Sequence, residues 1–183
     1  NKDSVVGVYK IKLTYTNNNY IVRYNDALFQ ITGAPLRIKI LNKTVVYGDS
    51  INLRSVSYII ESGELVDGYD IELAYSTDAK IGSSVGIYYI YGKIVGETIY
   101  DCTIESGFLT ITPRELVVTI GDQQKEYGEF VTIDNSLYTI SSGKLIGNDN
   151  LDVTLSSSVE YDSNVGEYPI YGECQSQNYK CTF

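Results

Sequence analysis

Apolar and polar residues alternate with period two in short runs along most of this chain. Leu36-x-Ile38-x-Ile40 and Leu116-x-Val118-x-Ile120 put every second side chain on one face, as a strand with one buried side requires. Tyr9-x-Ile11-x-Leu13, Ile71-x-Leu73-x-Tyr75, Tyr88-x-Ile90, Leu109-x-Ile111 and Leu151-x-Val153-x-Leu155 do the same. Turn residues separate the runs, at Thr16-Asn17-Asn18-Asn19, Tyr47-Gly48-Asp49, Ser62-Gly63 and Asp67-Gly68. Helical periodicity is missing, apart from a short stretch around Ile51–Val56 that could form a single turn.

The runs recur. Residues 36–98 and 116–178 are identical at 17 of 63 positions, where chance gives on the order of four or five. Tyr47-Gly48 returns as Tyr127-Gly128, and Ser62-Gly63-x-Leu65 as Ser142-Gly143-x-Leu145. Val85-Gly86-x-Tyr88-x-Ile90-Tyr91-Gly92 returns as Val165-Gly166-x-Tyr168-x-Ile170-Tyr171-Gly172. A partial copy stands first, since Val6-Gly7-x-Tyr9-x-Ile11 carries the same motif. The predicted organisation is the C-terminal part of a preceding unit (1–33), a complete unit (34–113) and a nearly complete unit lacking its last strand (114–183). Several short strands per ~80 residues predict an all-β tandem array of small immunoglobulin-like β-sandwich modules. β-Grasp-like modules are the alternative. Gly48, Gly128, Gly86 and Gly166 are expected at corners that need positive φ or close backbone approach. Tyr47, Tyr88, Tyr127 and Tyr168 are expected to pack there, each hydroxyl reaching a backbone partner.

Composition narrows the function. The 183 residues include 18 Tyr, no Trp and no His, with a formal net charge of -9. That charge offers no basic stripe for nucleic acid and no attraction to an anionic membrane. No run approaches the ~20 apolar residues of a membrane span. Asn1-Lys2-Asp3-Ser4 has no signal-peptide pattern and reads as the interior of a longer polypeptide. Without His, the Ser-His-Asp and Cys-His arrangements are unavailable. Acidic residues change between copies (Glu61 to Ser141, Asp67 to Gly147, Asp78 to Ser158), so no fixed carboxylate pair emerges. No catalytic, cofactor or metal residue is therefore assigned, and no cofactor is expected. Asn148-Asp149-Asn150-x-Asp152 and Asp67-x-x-Asp70-x-Glu72 gather hard oxygen ligands, but their spacing is not that of an EF-hand and fits polar turns.

Of the three cysteines, Cys174 and Cys181 flank Gln175-Ser176-Gln177-Asn178. A hairpin turning on Gln177-Asn178 sets the two opposite each other. A disulfide, implying an oxidising compartment, and two buried thiols are both open on this reading. Cys102 has no partner in the first case.

The ordered elements Thr44-Val45-Val46-Tyr47-Gly48-Asp49, Val85-Gly86-Ile87-Tyr88-Tyr89-Ile90 and Gly107-Phe108-Leu109-Thr110-Ile111-Thr112-Pro113 resemble the MBG-type repeats of bacterial surface proteins and adhesins. An Asn-Tyr element accompanies them at Asn19-Tyr20 and Asn178-Tyr179, and becomes Ile99-Tyr100 in the complete unit. The resemblance implies an extracellular, cell-surface, non-enzymatic segment acting as the stalk or spacer of an adhesin. Its partners are then neighbouring repeats of the same polypeptide. The alternative is a module that recognises a host glycan or protein. Cysteines depart from the usual pattern of such repeats.

Overall fold

A computed structural model describes residues 5–183, so Asn1–Ser4 lie outside the described residues. Every element longer than one turn is a strand. The strands are β1 (Gly7–Ile11), β2 (Ala27–Ile31), β3 (Ala34–Ile40), β4 (Lys43–Val46), β5 (Tyr58–Ser62), β6 (Leu73–Thr77) and β7 (Gly86–Ile94). They continue as β8 (Tyr100–Glu105), β9 (Gly107–Thr112), β10 (Arg114–Ile120), β11 (Tyr138–Ser142), β12 (Val153–Ser157), β13 (Ile170–Cys174) and β14 (Tyr179–Thr182). The helical stretch expected around Ile51–Val56 is one 3-10 turn, Leu53–Ser55.

Among the described residues five sheets form: β1-β2, β5-β3-β8, β4-β9-β7-β6, β11-β10-β14 and β12-β13. The sequence repeat is also a repeat of pairing. β3 lies between antiparallel β5 and parallel β8, and β10 lies between antiparallel β11 and parallel β14. Ile38 faces Ile60 as Val118 faces Ile140, and both ladders slip register at the same place. Leu36 faces Cys102 as Leu116 faces Cys181. The parallel ladders are not a feature of an immunoglobulin-like sandwich, whose sheets are antiparallel. Period-two patterning tells which face is buried, not which strand lies alongside.

Contacts divide the chain into two compact units. One takes Asn1–Leu41, Arg54–Ser76 and Ile90–Gly107, and the other takes Asn42–Leu53, Thr77–Tyr89 and Phe108–Phe183. The first has a core of Leu36, Ile38, Ile71 and Tyr100, against which Tyr58, Ile60, Leu73, Cys102 and Ile104 pack. The second buries Leu109, Ile111, Leu116, Val118, Leu151, Val153 and Leu155. Each fully buried Leu or Ile stabilises its unit by about 1.5–3 kcal/mol.

Recurring tyrosines brace the turns. Tyr9, Tyr88 and Tyr168 each donate a hydroxyl hydrogen bond to the carbonyl four residues upstream, Val5, Ser84 and Asn164. Gly86 and Gly166 precede two of these tyrosines, but not for the backbone reason expected. Neither has positive φ, and a Cβ there would make ordinary contact with the Tyr88 or Tyr168 ring, at 3.7 and 3.9 Å.

Cys174 and Cys181 are joined by a disulfide with Cα atoms 6.2 Å apart. The geometry is not the ladder-paired hairpin of the sequence reading. β13 belongs to the β12-β13 sheet and β14 to the β11-β10-β14 sheet, so the bond staples two sheets. Closing a loop of sequence separation 7 stabilises by about 2–2.5 kcal/mol in the chain-entropy account. Reducing agent is therefore expected to lower the unfolding free energy of the second unit by that much in urea titrations, and the Cys174→Ser/Cys181→Ser variant should be insensitive to it. The repeat also explains why Cys102 is unpaired. It occupies the position of Cys181, while Ile94 occupies that of Cys174. Ile94→Cys is expected to form a second bridge with Cys102, read as a further loss of two hydrogens in the non-reduced mass. Burial, and then Asp101, push the Cys102 thiol above its ordinary pKa, which makes it a poor nucleophile.

Candidate repeat seam

The most developed polar constellation lies in the second unit, where the Tyr47-Gly48-Asp49 turn meets residues from the following copy of the repeat. The turn forms because Asp49 N–H donates to the Val46 carbonyl, with Gly48 at φ 82°. Gly48 is needed twice over. An L residue is strained at that φ, and a Cβ there would run into the Ile146 side chain. Tyr47 N–H donates to the Thr112 carbonyl, fixing the turn to the end of β9.

Asp149 is the hub. Its Oδ2 accepts the hydroxyl of Tyr47 at 2.9 Å and the hydroxyl of Tyr179 at 2.7 Å. The two rings meet edge to face, with centroids 5.5 Å apart and planes at 84°. Such pairs contribute about 0.5–1.5 kcal/mol beyond their area. Tyr179 also accepts the N–H of Ile146 at 2.8 Å, which ties the Ile146–Asp149 turn to β14. Arg114 closes the other side. Its Nε donates to the Tyr47 carbonyl at 2.8 Å, and its Nη2 pairs with Asp49. Asn178 completes the set. Its carbonyl accepts from Arg114 N–H, and its Oδ1 accepts from Val85 N–H at 3.0 Å.

Comparison of the two copies shows what is particular about this place. Tyr100, the counterpart of Tyr179, accepts from Val66 N–H and donates to the backbone carbonyl of Tyr69. Tyr69 stands where the second copy has Asp149. One substitution between copies thus turns a closed loop brace into a carboxylate that receives a second tyrosine. This accounts for Asp149 in the Asn148–Asp152 cluster. Asp149 is committed to tyrosine hydroxyls, and among the described residues no group of three or more His, Cys, Asp or Glu is placed to hold a metal.

Of the four tyrosines singled out from the sequence, two reach backbone carbonyls and Tyr47 reaches a carboxylate instead. Tyr127 is 68% exposed, against 5% for Tyr47. Sequence reasoning missed Asp149 and Arg114 as seam residues. Their partners lie far along the chain, with Tyr47 and Asp149 separated by 102 positions. The available signal was the change from Tyr69 to Asp149 inside an otherwise repeated motif.

Within the second copy the same ordered elements run from Leu116 through Tyr127-Gly128-Glu129 to Asn178-Tyr179. Residues 116–183 match the family model of the MBG domain, YGX type. The Tyr-Gly-x element of the matched segment is Tyr127-Gly128-Glu129, whose counterpart Tyr47-Gly48-Asp49 makes the seam. No curated protein and no solved structure matches the chain.

The seam has a pH signature. Burial, followed by the hydrogen bond to Asp149, pushes the Tyr179 phenol up to about 12. The bond to Asp149, followed by burial, raises Tyr47. A phenol raised in the folded state stabilises that state fully below its unfolded value of about 10. The contribution is then lost as pH rises from about 10 towards 12. Urea midpoints are expected to fall over that window, and to fall less in Tyr47→Phe/Tyr179→Phe. An equal fall in the double variant would place the alkaline loss elsewhere.

A second charged cluster, in the first unit, is of a different kind. Arg37 and Lys39 on β3 pair with Glu61 and Glu105 at 2.7–3.6 Å. Lys39, then Arg37, hold the Glu105 carboxyl below its usual range. Its counterparts Val117, Thr119 and Ser141 are uncharged, so it is not a property of the repeat. Exposed pairs of this sort are screened by solvent and contribute little to stability.

Proposed function

We propose that this chain is part of an extracellular, cell-surface tandem array in which each ~80-residue repeat is a small two-sheet β module. The array serves as the non-enzymatic stalk or spacer of an adhesin. One observation carries the reading: the Tyr-Gly turn of one copy is locked to the next copy through Asp149, Tyr179 and Arg114. A spacer needs successive modules held in a repeatable relation, and a turn whose buried tyrosine makes charge-assisted bonds supplies it. The one-residue link at Pro113, between β9 and β10, limits freedom at the same point. The parallel pairing of each opening strand with a late strand favours β-grasp-like modules over purely antiparallel sandwiches. The Cys174–Cys181 bridge fits an oxidising, extracellular setting. The absence of His from the sequence supports a non-enzymatic role.

Small-angle scattering on proteins carrying increasing numbers of repeats tests this. The maximum dimension should grow by a constant increment per repeat. A dimension that stays flat as repeats are added would remove the spacer reading.

A second reading, recognition of a host glycan or protein, is favoured by one feature. Tyr89 and Phe108 are both exposed, with ring centroids 5.4 Å apart. Exposed aromatic faces suit sugar stacking and interface anchoring. Glycan-array binding that disappears in Tyr89→Ala/Phe108→Ala supports it, and no binding above background excludes it for this segment.

A further inference from the structure

Only one asparagine in the sequence has Ser or Thr two places further on, in Asn42-Lys43-Thr44. That triplet is the acceptor pattern for N-linked sugar. The next copy of the repeat has Asp122-Gln123-Gln124 at the same place, so repetition does not explain it. So short a motif says little by itself, and its surroundings decide whether it is usable. Asn42 is exposed in the short link between β3 and β4, and Thr44 is exposed on β4. Thr44 faces Thr110 in the parallel ladder, two residues from Phe108, so these three share the outer face while Leu109 is buried on the other. A transferase therefore meets the carboxamide and the Thr44 hydroxyl without opening the sheet.

The carboxamide is already held in place. Its Oδ1 accepts the N–H of Phe108 at 2.9 Å. A sugar is carried on the other atom, Nδ2, and the linked nitrogen remains an amide, so modification leaves that bond intact. Beside it stands the exposed Tyr89–Phe108 pair, with ring centroids 5.4 Å apart. The apolar face of a sugar stacks on such rings, which gives the first sugar a surface to rest on. Asn42, Thr44, Tyr89 and Phe108 all belong to the second unit.

We infer that Asn42 carries an N-linked oligosaccharide, taken from a lipid-pyrophosphate donor. In the transfer the bond from Nδ2 to the sugar C1 forms, and the bond from C1 to the pyrophosphate oxygen breaks. The lipid pyrophosphate leaves, and Nδ2 gives up one proton to a base of the transferase. The inference rests on the extracellular reading, because such transfer accompanies export, in the kind of compartment that also forms the Cys174–Cys181 bridge. A sugar at this place covers aromatic rings that a spacer otherwise leaves open to solvent.

Mass spectrometry of the chain, isolated without reduction from the cells that make it, tests this. The peptide containing Asn42 should be heavier than its sequence by a sugar chain, and should release sugar fragments on collision. Asn42→Gln and Thr44→Val should each lose all of the added mass, whereas Thr44→Ser should keep it. The wild-type measurement decides even where a variant fails to fold. An unmodified Asn42 in a chain that carries the Cys174–Cys181 bridge overturns the inference and leaves the extracellular reading standing. An unmodified Asn42 together with free thiols at Cys174 and Cys181 overturns both. Added mass on the same peptide that survives Asn42→Gln overturns the inference as well, because another residue then bears the sugar.

Discussion

Asp149→Ala is expected to destabilise the second unit by about 3–4 kcal/mol. Asp149 accepts two tyrosine hydroxyls, at 2.7 and 2.9 Å, from residues that are themselves almost fully buried. A hydrogen bond to a charged group contributes about 1.5–3 kcal/mol, and removing the shared acceptor strands both donors in a place water reaches poorly. The two losses overlap, since both hydroxyls meet the same oxygen, so the total falls short of their sum. Asp149→Asn keeps an acceptor oxygen and is expected to cost about 1 kcal/mol. Urea unfolding of the two variants at neutral pH separates the cases. The change should appear in the midpoint, with an unaltered dependence on denaturant. A double-mutant cycle of Asp149→Ala with Tyr47→Phe should give a coupling above about 1 kcal/mol. Coupling near zero would mean that the Tyr-Gly turn merely lies against its neighbour, and the stalk reading would lose its mechanical basis.

The size of that expected effect contrasts with how little of the seam was legible in the sequence. Period-two runs located β3, β7, β9, β10 and β12 because a half-buried strand writes its burial directly into alternation. The repeat was legible because turn glycines and bracing tyrosines recur wherever the same corner is built. Pairing was another matter. β3 with β8, β4 with β9 and β10 with β14 run in parallel across long connections, and alternation on one strand says nothing of its distant neighbour. β4 reads Lys-Thr-Val-Val and β8 reads Tyr-Asp-Cys-Thr-Ile-Glu, neither of which stands out as a strand. The seam failed to appear for a related reason. Asp149 sat in a turn rich in Asn and Asp, where solvation or a cation explains the residues just as well. Arg114 sat in what reads as a linker. Their roles come from the approach of a turn 102 positions earlier, and no local pattern encodes that. The cysteines lie between these extremes. Their spacing brought Cys174 and Cys181 within reach of each other, yet which sheets they join depends on the same non-local pairings.

The second large effect is expected at β9. Leu109 is fully buried at the centre of the strand that lies between β4 and β7. Leu109→Ala is expected to cost about 3–4 kcal/mol, the lost transfer energy plus the cavity a rigid sheet cannot close. Phe108, one residue earlier, points to the other face and is 41% exposed. Phe108→Ala is expected to cost about 1 kcal/mol or less, so the pair tests the assigned face as well as the burial. Hydrogen exchange adds a local measure. β4 is held by its parallel ladder to β9, with Lys43 opposite Leu109, so its amides should lose protection at least tenfold in Leu109→Ala and little in Phe108→Ala. The same residue decides how residues 123–126, the counterpart of β4, should be understood. Among the described residues, 123–126 form no strand, whereas Lys43–Val46 form one paired with β9. If β9 is what organises β4, weakening it should drive residues 43–46 towards the state of residues 123–126. A β4 that keeps its protection in Leu109→Ala would show that the strand forms on its own account. The irregularity of 123–126 would then belong to its Gln-Gln-Lys-Glu sequence.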